Sequence, residues 1–195
     1  MLRDVLSLIP DDARSILDVG CGSGALLQLI HQHNSACELH GIDFSTEMLS
    51  KAQHRVPGLK TQVADFNQRL PFADRQFDCI VSSNAMYAVS SPRHFVAELR
   101  RLTRSEGTIV VASPKHTARG TRILASHLSQ VSIGRGVLDM VRFSACIAPN
   151  ILIERMARKQ SYHFFNADEI REFIGTGKIF PDTFAGQNWL FTISP

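Results

Sequence analysis

Ile16-Leu17-Asp18-Val19-Gly20-Cys21-Gly22-Ser23-Gly24 places an acid and three alternating glycines where an apolar run meets a helical pattern. Glycine there permits positive φ and lets a backbone come close to a ligand. A nucleotide loop would read G-x-G-x-x-G and aim a helix N-terminus at a pyrophosphate. This loop reads G-x-G-x-G and carries Asp18 just ahead of the turn, which suits a ligand without phosphates that bears a cationic amine. The alternative at this point is a glycine-rich turn with no ligand. Asp43 lies 23 residues past Gly20, at the end of the next apolar run. A carboxylate so placed can take both hydroxyls of a ribose, or it can simply precede a helix capped by Ser45.

Further along, Ser82-Ser83-Asn84-Ala85-Met86-Tyr87 follows a fourth apolar run, and His116 follows a fifth. Tyr87 could hydrogen-bond a substrate or pack as an aromatic. His116 could act as a base near neutral pH or remain a solvated loop histidine. The four cysteines, Cys21, Cys37, Cys79 and Cys146, form no C-x-x-C pair. That spacing argues against zinc and against a disulfide framework, and it fits a reducing, cytoplasmic compartment. No metal site is expected.

These residues need elements to hold them. The pattern predicts a short amphipathic helix over 2–9, strands at Ser15–Val19, Cys37–Ile42, Lys60–Ala64, Phe77–Ser82 and Thr108–Ala112, and a final antiparallel hairpin over Lys178–Ser194. Helices fall at Ala25–His33, after the Ser45 cap, from Pro92 to Leu102 and over Ala167–Ile174. Five strand–helix alternations imply a parallel sheet covered on both faces, and right-handed crossovers make it doubly wound. With the hairpin the sheet has seven strands, mainly parallel, and ligands belong at its carboxyl edge. Length 195 suits a single domain, 1–195, and the stretch 116–165 reads as a helical insertion over that edge.

The blocks LDVGCGSG, GIDFSTEML, ADFNQRLPFADRQFDCIVSS and ELRRLTRSEGTIVVASP, across residues 15–114, resemble the class I S-adenosylmethionine-dependent methyltransferase family. Within it they are similar to the small-molecule branch containing the ubiquinone/menaquinone C-methyltransferases. The resemblance implies the Rossmann-like methyltransferase fold and S-adenosylmethionine, which has an ammonium, a sulfonium and no phosphate. It further implies that Asp18, Gly20, Gly22 and Gly24 surround the methionine part, and that Asp43 holds the ribose. Phe44 and Met48 would cover the adenine. Asp65, with Phe66 beside it, would meet the adenine amino group. Ser82 and Ser83 would lie near the transferred methyl. Three departures stand out: one extra residue between Asp65 and Leu70, Glu106-Gly107 in place of a glycine pair, and fourteen residues before strand one.

No [Asn/Asp]-Pro-Pro-[Tyr/Phe] follows strand four and no Pro-Cys nucleophile is present. The expected acceptor is therefore a small molecule and not a nucleic acid. Tyr87 and His116 are the candidate catalytic side chains. The same cofactor loop would serve a lyase, a cyclase or a non-catalytic partner subunit. An NAD-linked oxidoreductase is disfavoured by the glycine spacing. From Lys115 to Lys159 eight Lys/Arg face only Asp139 and Glu154, amid apolar side chains. That composition fits a lid over an apolar or anionic substrate, a peripheral lipid-facing patch or a dimer interface, so both monomer and homodimer are compatible. No window is long and apolar enough to span a bilayer, and the N-terminus shows no secretion signal.

Overall fold

The computed structural model describes residues 1–115, 164–180 and 188–195. Its elements run α1 (Leu2–Leu6), β1 (Ser15–Val19), α2 (Ala25–His33), β2 (Glu38–Asp43), α3 (Thr46–Arg55), β3 (Lys60–Val63) and β4 (Phe77–Ser83). A 3-10 turn (Met86–Ala88), α4 (Pro92–Leu102), β5 (Thr103–Pro114), α5 (Ala167–Ile174), β6 (Ile179–Phe180) and β7 (Asn188–Ile193) follow. The proposed insertion over 116–165 lies outside the described residues, apart from Phe164 and Phe165.

Seven strands form one sheet in the order β3-β2-β1-β4-β5-β7-β6. The first five are parallel, and β7 runs antiparallel between β5 and β6. This is the expected doubly wound sheet. Strand side chains alternate between faces, so each central strand feeds two cores. Leu17, Ile80, Ile109, Val111 and Phe191 meet α4 and α5 on one face. Ile16, Cys79, Val81, Val110 and Leu190 meet α1, α2 and α3 on the other.

The helices form where caps and periodicity agree. Ser45 Oγ accepts from Met48 N at 3.3 Å at the start of α3. Ser91 caps α4, and Pro92 occupies its first turn. In α4, Phe95, Val96, Leu99 and Leu102 are all buried, each worth roughly 1.5–3 kcal/mol. Asn166 and Glu169 close a capping box on α5.

Helix α1 stops at Leu6 and not at residue 9, and the ends of β2, β3 and β4 shift by one residue, but the largest difference from the sequence expectation is in β5. β5 begins at Thr103, directly after α4, and not at Thr108. Its pairing with β4 passes from Phe77–Thr103 to Cys79–Thr108, so residues 104–107 bulge within the strand. An ion pair between Arg104 and Asp78 pins the bulge. Gly107 lies in this bulge. A side chain there would meet Thr103 Cγ2 at 2.5 Å and Asp78 O at 2.8 Å.

Candidate cofactor site

The parallel strands all end on one edge, and the glycine loop turns there. Gly20, Gly22 and Gly24 have φ of 78°, 51° and 77°, the left-handed region that disfavours other residues. Gly20 N and Cys21 N donate to Ile42 O at 2.9 and 3.0 Å, fastening the loop to the end of β2. Gly20 must also be bare because a Cβ would stand 2.5 Å from Ala85 Cβ. Gly24 is the N-cap of α2, and its Cβ would stand 2.9 Å from Ala52 Cβ on α3.

Asp43 ties the second strand to the loop. Its Oδ2 accepts from Gly22 N and its Oδ1 from Ser45 N, each at 2.9 Å. A carboxylate oxygen accepts more than one hydrogen bond, so both oxygens retain capacity toward a ligand. Asp18 is 2% exposed, and its Oδ1 has no hydrogen-bond partner. Burial, then the nearby charge of Asp43, pushes its carboxyl up to about 7. The Cys21 thiol is pushed up by burial and by both aspartates, so it stays neutral.

Around these groups lies a cavity of about 480 Å³, within the range of small-ligand sites. Of the expected residues, Asp18, Gly20, Gly22, Asp43, Phe44, Met48, Phe66, Ser83 and Tyr87 line it. Gly24 does not, because it packs back onto α3. Ser82 does not either: its Oγ donates to Val19 O at 3.0 Å. Asp65 is exposed and accepts from Asn67 N and Nδ2 at 2.9 and 3.0 Å. His116 lies outside the described residues. Phe44 is 74% exposed at the cavity's edge.

The sequence reading missed part of the wall. Met1 and Leu2 line the cavity, as do Ala85 and Ala88. Met1 reaches across to Asn188, whose Nδ2 is 2.8 Å from its Sδ. Asn84, also lining, has φ of 58° and donates its N–H to Ala112 O at 2.8 Å. Such strain in a non-glycine residue collects at functional sites. Tyr87 stacks on Phe164 with ring centres 5.9 Å apart. Among the described residues no Lys or Arg lines the cavity. Two carboxylates without a lining cationic side chain favour a positively charged ligand. Among the described residues no group of three or more His, Cys, Asp or Glu could hold a metal ion, and no helix is long and apolar enough to cross a membrane.

A sequence-family profile described as "Methyltransferase domain" matches residues 17–111. The chain is 30% identical over 192 residues to a trans-aconitate 2-methyltransferase of Rhizobium meliloti, covering 90% of this chain and 73% of that protein. It is 30% identical over 120 residues to a demethylmenaquinone methyltransferase of Renibacterium salmoninarum, covering 62% and 48%. The chain spans only 33% to 55% of several other relatives it matches. Among solved structures, a protein from Pyrococcus horikoshii OT3 superposes with a TM-score of 0.62 at 16% identity, over 100% of this chain and 87% of that one. That likeness concerns the fold.

Proposed function

We propose that this chain, which belongs to the S-adenosylmethionine-dependent methyltransferase family, transfers a methyl group to a small-molecule acceptor. The observation that carries the reading is Asp18: a sealed carboxylate with an unpartnered oxygen, facing a cavity that no Lys or Arg among the described residues lines. Those features fit the cofactor. Asp18 would take its ammonium. The bare glycine loop would let its amino-acid part lie close. The remaining acceptor capacity of Asp43 suits two neighbouring ribose hydroxyls. Phe44, Met48 and Phe66 would enclose the adenine, with Asp65 at its amino group, and Ser83 would stand near the methyl.

S-adenosylmethionine supplies a methyl already activated by its sulfonium. The protein's task is then alignment, and positioning of this kind is worth roughly 7–11 kcal/mol. Tyr87 and Asn84 line the same cavity as Ser83 and would orient the acceptor. A general base is needed only for an acceptor that carries a proton at neutral pH, and His116 is the proposed candidate. Residues 116–165 would form the lid. The reading places the protein in the cytoplasm, as monomer or homodimer, without a nucleic-acid substrate.

The test combines binding and product analysis. Wild-type protein should bind S-adenosylmethionine and S-adenosylhomocysteine, and Asp43→Ala should lose most of that affinity. Turnover with an acceptor panel should release S-adenosylhomocysteine. Release of methylthioadenosine in its place would move the protein to a lyase, and binding without any turnover would make it a partner subunit.

A further inference from the structure

The ligand proposed above carries a carboxylate on the same carbon as its ammonium. If the ammonium meets Asp18, the carboxylate must lie within a few ångströms, against the glycine loop. Most of the loop's N–H groups are already engaged. Gly20 and Cys21 donate to Ile42 O, Gly22 to Asp43, and Gly24 to Cys21 O. The Met1 amine is ion-paired with Asp4 at 2.9 Å.

Ser23 is the loop position that differs. It lines the cavity, and its Oγ accepts from Arg55 Nη1 at 3.1 Å. A hydroxyl whose oxygen accepts still has its own hydrogen to donate. Accepting from a guanidinium polarises it and makes that hydrogen a stronger donor. Arg55 ends α3, and α3 is locked to the loop by the close Gly24–Ala52 approach. The start of the nine-residue α2 lies next to Ser23, and its dipole acts in the same sense.

We infer that Ser23 and Arg55 form a carboxylate-recognition pair. Ser23 donates its hydroxyl hydrogen to the carboxylate at the amino-acid end of the ligand, and Arg55 holds and polarises Ser23 from outside the cavity. Ser23 is thus a binding residue and Arg55 a positioning residue. The inference rests on the cofactor reading.

Calorimetric titration of the full chain with two ligands tests it. S-adenosylhomocysteine has the amino-acid end; 5′-methylthioadenosine shares the adenine and ribose and lacks that end. Ser23→Ala and Arg55→Ala should each weaken S-adenosylhomocysteine about three- to tenfold and methylthioadenosine less than twofold. The double variant should lose no more than the weaker single variant, because the two act as one unit. Arg55→Lys should recover part of the loss. Equal weakening of both ligands, or unchanged S-adenosylhomocysteine affinity in both variants, would overturn the pair. A wild type that binds methylthioadenosine but not S-adenosylhomocysteine would overturn it too. Binding of neither ligand by the wild type would remove the cofactor reading first and the pair with it.

Discussion

A buried carboxylate with an unpartnered oxygen costs stability until something positive reaches it. Asp18 is such a group, and its raised pKa gives the pH dependence a sign. Below about 4 the carboxyl is protonated in folded and unfolded chains alike. As pH rises toward 7 the unfolded chain releases its proton while the folded chain holds on, so this residue's contribution to stability is progressively lost through that window. Asp18→Asn should therefore flatten the stability–pH curve between about pH 4 and 7 and melt higher than wild type at neutral pH, by thermal denaturation. Cofactor binding has the opposite sign. A cation needs the ionised carboxylate, so affinity should fall as pH drops below about 7, by up to about tenfold per unit, measured by titration across pH. The glycines make a paired prediction. Gly22→Ala meets nothing within 4 Å and should cost about 1–2 kcal/mol from its positive φ. Gly20→Ala collides with Ala85 as well and should cost more in denaturant unfolding.

Among the elements, α4 does more than cover the sheet. Glu98 Oε2 accepts from Leu70 N at 3.0 Å and from Arg101 Nη2 at 2.9 Å, while Arg101 also donates to Leu70 O and Phe72 O. This clamp holds the loop between Phe66 and β4 that follows one wall of the cavity. Glu98→Ala leaves the buried Leu70 N–H without its acceptor, while Arg101 keeps Asp74, and should cost about 1–3 kcal/mol, read by denaturant unfolding. Strand and helix positions were legible because apolar periodicity and start signals coincide, as at the Ser45 cap and at Pro92. The start of β5 was not, because its bulge depends on Asp78 of another strand. The site divides along the same line. Asp18, Gly20, Gly22 and Asp43 carry their chemistry in residue type and spacing. Ser82 and Ser83 looked equivalent in sequence, yet neighbours on a strand point to opposite faces, so only Ser83 lines the cavity. Met1 and Leu2 were invisible because nothing local says that α1 folds back against Asn84 and Asn188.

At the scale of the whole molecule, a chain of net charge +3 builds a cavity lined by two aspartates at the edge where five parallel strands end. The sheet order brings β1, β2 and β4 side by side there, so residues 18, 43 and 83 meet although they are far apart in sequence. This arrangement sacrifices stability at Asp18 to hold a cationic cofactor. Calorimetric titration of wild type and Asp18→Asn with S-adenosylhomocysteine addresses it most directly. Wild type should bind with micromolar affinity, and the variant, no less stable, should bind at least tenfold more weakly. Equal affinity in the two proteins, or no binding by the wild type, would contradict it.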